Sequence, residues 1–390
     1  MSHDALVGNF NYPTHYRIGA GRVRELADAC CELGITRPLI VTDPGIVALD
    51  WFVPIVSALD AAGLAARVLS DIGTNPDTSH IEAGLTVAAE HETDGCILIG
   101  GGSAMDAGKC IALLVNNPGQ VLDYEDSGDN WKQASSDAIL PTIAVPTTAG
   151  TGSEVGRAAV IVDPRHHAKK IIFHPRMQPD LVLADPELTL GLPPRLTAAT
   201  GMDAFAHCFE AWCARGYHPM ADGIALEGMH LIAAHLLPAF LNGDDAAART
   251  HLLMAAAMGA TAFQKGLGLI HALSHPVGGV TGLHHGTANA IFQPYVMVHN
   301  RPVIEPRMAR MAQAIGLEGE RFEDVLDWTL DLRARLELPH TLEGIVEEDA
   351  ITQLAGMAAA DPSLATNPKS CSEEEIQRVL QKTISGDLDP

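Results

Sequence analysis

Basic residues are scarce in this chain: 25 lysines and arginines face 48 aspartates and glutamates, a formal charge of −23. Phosphate-backbone binding needs a concentrated basic face, so the balance argues against nucleic acid and against anionic membrane as partners. A local cluster can still hold an anionic cofactor. Aromatic residues are also few, at 5%, as expected where helices pack closely through alanine and glycine. The seven cysteines (30, 31, 96, 110, 208, 213 and 371) form no CxxC pair and are odd in number. That argues against a disulfide framework or a thiolate zinc site and reads as reduced, mostly buried thiols of a cytoplasmic protein. The opening residues MSHDALVGNFNYP lack the basic stretch and apolar core of a secretory leader. No apolar run approaches the roughly 18–20 residues that cross a bilayer.

What is present suits a two-domain enzyme. With 390 residues, 47% hydrophobic and 19% charged, the chain can bury two cores. Its first half alternates short apolar runs with helical patterns. RPLIVTD (37–43), ARVLSDI (66–72), GCILIGGGS (95–103) and ILPTIAVPTT (139–148) read as strands. A helix over VALDWFVPIVSALDAAG is closed by Gly63, and Asp77 or Thr78 caps another running to about Glu92. Such alternation predicts a largely parallel sheet covered on both faces, a Rossmann-like α/β domain. After Pro186, Pro193 and Pro194 the texture becomes Ala-rich and helical, and GLEGERFEDVLDWTLDLRARLELP reads as a solvated amphipathic helix. The expected division is an α/β domain over 1–187 and an all-helical domain over 188–390.

Four residues of the helical half have the chemistry of a metal's ligands. Asp203 and His207 lie four apart in TGMDAFAHCFEAW, which stacks both side chains on one helix face. His271 and His285 lie in GLGLIHALSHPVGGVTGLHHGTANA, joined by a glycine-rich stretch able to fold back. One carboxylate with three imidazoles suits Fe²⁺ or Zn²⁺, and without a thiolate the site stays open for chemistry. Taken singly, Thr200-x-x-Asp203 also fits a helix-start capping box. Spacing alone does not choose between His284 and His285.

Two loops suit a nucleotide. In ILIGGGSAMDAGK a buried strand runs into Gly101, Gly102 and Ser103, where backbone N–H groups at a helix start can hold a pyrophosphate. It is neither GxGxxG nor a P-loop, and a tight turn explains it equally. PTTAGTGSE adds the hydroxyls of Thr147, Thr148, Thr151 and Ser153 after a further strand. Asp43, ending its strand, is placed to accept from a ribose hydroxyl and to repel a 2′-phosphate, favouring NAD; a turn-forming Asp before Pro44 is the competing reading.

These motifs, in this order, resemble the iron-containing (group III) alcohol dehydrogenase family over nearly the full length. GGGSAMDAGK is similar to its GGGSxxDxxK loop, PTTAGTGSEV to its threonine-rich loop and TGMDAFAHCFEAW to its TGxDAxxHxxE helix, while GLIHALSHPVGG and HHGTANAIFQPYV match its later histidine blocks. The resemblance implies a dehydroquinate-synthase-like architecture, with a dinucleotide-binding domain followed by an all-α metal domain. It places the metal ligands at Asp203, His207, His271 and His285, resolving the choice against His284. Nucleotide contacts fall on Asp43, Gly101, Gly102, Ser103, Asp106, Thr147, Thr148, Thr151 and Ser153, with a cofactor-approaching lysine at Lys169 or its neighbour Lys170. His275 matches a histidine near the metal that is not usually a ligand.

The implied activity is reversible, metal-assisted hydride transfer between a small primary alcohol and NAD. His275 is suited to relay the proton between substrate and solvent, or else to a packing role. Arg157 and Lys265 are cations able to bind an anionic group on a substrate such as a hydroxy acid or semialdehyde; salt bridges within an acidic protein are the plain alternative. A lyase of the dehydroquinate-synthase type calls for a densely basic pocket, and this chain offers few clustered lysines and arginines. A glycerol-type polyol dehydrogenase uses another ligand pattern, and a non-catalytic binding protein leaves the complete motif set unexplained. The family also suggests a homodimer.

Overall fold

The computed structural model describes residues 8–10, 14–165 and 168–389. Most of the opening stretch inspected for a leader lies outside them. The chain divides into two compact units: 1–148 with 152–190, and 149–151 with 191–390.

The first unit is built on a sheet. Among the described residues its strands are β1 (Gly8–Phe10), β2 (His15–Ile18), β3 (Pro38–Val41), β4 (Arg67–Leu69), β5 (Gly95–Gly100), β6 (Thr142–Pro146) and β9 (Leu181–Ala184). They line up in the order β1-β2-β9-β6-β5-β3-β4. All neighbours are parallel except β1 and β2. The runs PLIV, GCILIG, TIAVP and LVLA are buried at every position. Unbroken apolar runs, not alternating ones, are what a strand covered on both faces requires. Ile40, Ile97, Ile99, Ile143, Val145 and Leu183 join one core beneath the helices. Strands β7 (Ala158–Asp163) and β8 (Ala168–Phe173) pair separately as an antiparallel ribbon.

Helices α1 (Leu26–Glu32), α2 (Pro44–Val47), α3 (Phe52–Ala61), α4 (Thr78–His91) and α5 (Gly102–Leu114) connect the strands. The single helix expected from Val47 to Gly63 is instead two pieces, with a break over residues 48–51. Asp43 explains the early start: its Oδ1 accepts from Gly45 N and Ile46 N, capping α2 with Pro44 at the first turn. Asp77 caps α4 as expected, in a reciprocal box with His80.

The second unit is helical: α6 (Pro194–Cys213), α7 (Pro219–Leu241), α8 (Ala246–Ala262), α9 (Leu269–Thr281), α10 (His285–Ala314), α11 (Phe322–Arg335), α12 (Ile351–Ala359) and α13 (Glu373–Ser385). Its centre is α6, buried along nearly its whole length. Glycines set the closeness of its neighbours. A Cβ at Gly286 of α10 would collide with the Ala199 carbonyl, and one at Gly259 of α8 would press on His207 Cβ. Helix α7 does have the length and apolar composition of a membrane span, which the sequence reading did not find. Its Ala225, Met229, Ile232 and Leu236 are fully buried in the core shared with α6 and α8, while Met220 and Leu241 near its ends are exposed.

Candidate active site

Asp203 and His207 stand one turn apart on α6, so the bland reading of Thr200 and Asp203 as a helix-start box fails. Both lie mid-helix, and Thr200 Oγ1 donates back to Leu196 O. His271 and His275 repeat the same spacing on α9, and His285 opens α10. One ligand atom each from Asp203, His207 and His271 lies within 4.8 Å of the others, all three residues buried. His285 joins from the side, its Nε2 3.5 Å from Asp203 Oδ1, compared with 3.8 Å for His207 Nε2 and 3.9 Å for His271 Nε2. His284 is exposed and is the N-cap residue of α10.

The residues fit a divalent cation, and Asn289 makes the case. Four residues beyond His285 on α10 and fully buried, it directs its Nδ2 to Asp203 Oδ1 at 2.7 Å and to Nε2 of His271 and of His285 at 3.3 Å each. Three acceptors thus gather on one amide donor, while Asn289 Oδ1 is buried without a partner among the described residues. Lone pairs converging on a single point inside a protein are costly unless positive charge stands there. Burial pushes His207 down to about 4, against the opposing pull of Asp203, so its imidazole is neutral with a lone pair available. His271 is also buried, which lowers its affinity for a proton, but the hydrogen bond and charge of Glu210 outweigh that and raise it.

Glu210 is a residue the motif contained but to which the sequence reading gave no task. Its Oε2 lies 2.6 Å from His271 Nδ1 and its Oε1 accepts from Ile270 N at 2.7 Å. One carboxylate therefore orients the imidazole and satisfies an open amide at the start of α9, leaving His271 Nε2 to face Asp203. Its position, three after His207 and seven after Asp203, was a legible signal because all three share one helix face. His275 Nδ1 pairs with Asp361 Oδ2 at 2.8 Å, and its ring stacks on His285 with centroids 5.3 Å apart. Asp361 carried no such signal.

The residues expected at the nucleotide fall in two groups. Gly101 is the N-cap residue of α5 and offers no side-chain cap, so the first-turn amides of Gly102 and Ser103 remain available to an anion. Gly100, at φ 151°, needs to be glycine, and a Cβ at Gly101 would crowd Thr148 Oγ1. Thr147 donates its N–H to Gly100 O, tying the two loops together. Asp106 is otherwise engaged: its Oδ1 accepts from Ser153 Oγ at 2.6 Å and its Oδ2 from Val160 N at 2.8 Å. The buried Lys109 ammonium adds bonds to Ser153 and to Ala158 O. These groups shape the second loop from behind. Thr151 belongs to the second unit, where neighbouring Gly150 packs on Thr200 of α6. Lys169 lies on β8 opposite Val162, whereas Lys170 pairs with Glu125 at 2.8 Å.

Of the two substrate-directed cations, Lys265 is buried and committed, donating to Asp222 Oδ1 at 2.6 Å and to Trp212 O. The salt-bridge alternative describes it. Arg157 is exposed, its guanidinium 5.9 Å from the Phe173 ring.

Comparison with known proteins agrees with this geometry. The family described as iron-containing alcohol dehydrogenase matches residues 13–186, and its C-terminal counterpart matches residues 197–384. A 4-hydroxybutyrate dehydrogenase of Cupriavidus necator is 39% identical over 96% of this chain and 99% of its own length. Alcohol dehydrogenase 4 of Saccharomyces cerevisiae (strain YJM789) is 35% identical over 96% and 98%. A sulfoacetaldehyde reductase from Bifidobacterium kashiwanohense, solved in complex with NAD+, superposes with a TM-score of 0.88 at 27% identity, covering 97% of this chain and 98% of that one. The chain belongs to the iron-containing alcohol dehydrogenase family and is an NAD-linked, metal-dependent oxidoreductase of alcohols.

Proposed function

We propose that the chain interconverts small primary alcohols and their aldehydes, with Asp203, His207, His271 and His285 holding Fe²⁺ or Zn²⁺ and His275 relaying the substrate proton. The convergence of one carboxylate oxygen and two imidazole nitrogens within 4.8 Å, with a third imidazole alongside, carries the reading. When bound, the ion supplies Lewis-acid polarisation of the substrate oxygen. The residues do the rest. Glu210 and Asn289 orient the proposed ligands through hydrogen bonds, and His275 stands beside them with Nε2 making no hydrogen bond among the described residues. Gly101, Gly102, Ser103, Thr147, Thr148 and Thr151 are assigned to the dinucleotide phosphates and Lys169 to its approach. Asp43 uses Oδ1 in its helix cap, and we assign Oδ2 to the ribose.

The Cupriavidus relative's name favours a second reading, a substrate with a terminal carboxylate. Arg157, exposed as a guanidinium, is then the cation for it. The test is metal analysis of anaerobically purified protein combined with reduced-nicotinamide absorbance on a panel of neutral alcohols and hydroxy acids. His271→Ala is expected to lose bound metal and turnover together; a metal-free variant that still turns over refutes the assignment. Arg157→Ala is expected to raise KM for hydroxy acids alone, and unchanged values would remove the second reading. Seven free thiols support a reducing, cytoplasmic setting, and a homodimer is read from family resemblance.

A further inference from the structure

His275 stands one helical turn after His271 and does not point at Asp203. Its Nδ1 is 2.8 Å from Asp361 Oδ2. Its ring lies nearly parallel to His285, at 11° with centroids 5.3 Å apart, and edge-on to His271 at 5.9 Å. A ring with neighbours on two sides and one nitrogen bonded has a single orientation available. Asp361 is itself fixed. It caps a short 3-10 turn over Pro362–Thr366 through Oδ1, which accepts from Ser363 N at 2.8 Å. The turn is anchored at its far end, where Thr366 Oγ1 donates to Leu267 O, and Asn367 Oδ1 accepts from Leu269 N, the first residue of α9. Although burial works the other way, the His275 hydrogen bond holds the Asp361 carboxyl below its usual range, so it is an anion there.

We propose that Asp361 is a positioning residue for the reaction: it keeps the His275 proton on Nδ1 and the ring turned so that the Nε2 lone pair faces the substrate. The inference rests on the proton-relay reading of His275 given above. In alcohol oxidation the carbinol carbon gives a hydride to NAD⁺ and the hydroxyl gives a proton. That proton leaves for solvent by way of Nε2, the ring nitrogen that the Asp361 hydrogen bond leaves open. Nothing else among the described residues bonds either ring nitrogen of His275, so the task falls to this carboxylate alone.

The experiment is a double-mutant cycle on the metal-loaded, full-length enzyme, reading kcat, KM and bound metal for ethanol oxidation. Asp361→Ala is expected to lower kcat about 10–100-fold, with KM and metal content unchanged. Asp361→Asn has one oxygen for two tasks: with the Ser363 cap kept, its amide NH₂ faces Nδ1 and favours the wrong tautomer. This variant is expected to stay about as slow as Asp361→Ala, and a parental kcat in it would overturn the tautomer role. In a His275→Ala background, Asp361→Ala is expected to cost nothing further. A loss of the same size in that background, or loss of metal along with activity, overturns the positioning role. A fully active His275→Ala would instead sink the relay reading itself, and the two failures are told apart by that single variant.

Discussion

Glu154 follows the second glycine-threonine loop and is 3% exposed, with Oε1 making no hydrogen bond among the described residues. Burial lifts its carboxyl from 4.5 to about 7, against the pull of Lys109. Below its unfolded value both states of the protein hold the proton, and this residue takes nothing from stability. As pH rises through the window from 4.5 to about 7, the unfolded chain releases the proton first and folding loses ground. The full effect is on the order of 3 kcal/mol. Glu154→Gln is expected to remove this slope, so that the variant gains on the parent between pH 5 and pH 8 in urea midpoints. Parallel curves for the two proteins would rule the effect out. At this scale the pairing of Asp203 with His207 was legible because spacing of four on a helix announces a shared face, and Glu210, on that same face, went unread. Asp361 was not legible. It lies 86 residues from His275, and Asp-Pro in a sequence reads only as a turn.

Among the elements, α6 and α10 are held at the distance that lets Asp203 and His285 meet, and Gly286 is the contact. A side chain there would run into the Ala199 carbonyl, which is backbone and cannot swing aside. Gly286→Ala is expected to cost about 1–3 kcal/mol and to displace the first turn of α10, carrying His285 away from Asp203. Gly279→Ala on the outer face of α9, where an added Cβ meets nothing within 4 Å, is the control and is expected to be neutral or mildly stabilising. Calorimetry and metal content on the pair check it; equal behaviour of the two would show that the close approach does not matter. Buried parallel strands read clearly from their unbroken apolar runs. The break at residues 48–51 did not, because Asp43 starts its own short helix and the apolar period continues through the gap.

For the whole molecule, ion binding and folding of the helical unit are expected to be linked, since the proposed ligands come from α6, α9 and α10 and come together only in the folded chain. Stripping the ion with a chelator is expected to lower the melting temperature, by the equivalent of about 2.7 kcal/mol if free metal had stood at a hundred times Kd. Re-addition of Zn²⁺ or Fe²⁺ should restore it, and His271→Ala should ignore both treatments. A chelator-insensitive parent would separate binding from folding. The order of an α/β half and a helical half was visible in composition and period. That 149–151 groups with the helical unit was not, because a three-residue excursion leaves no periodic trace.

The short turn carrying Asp361, Thr366 and Asn367 touches His275, Leu267 and Leu269. Every assigned ligand precedes it in the chain, so a proteolytic nick or a premature stop after residue 360 would spare the whole coordinating set while knocking out its scaffolding. Such a fragment could look complete by motif and still be inert, and anyone shortening the protein for display, fusion or crystallisation has to keep that tail.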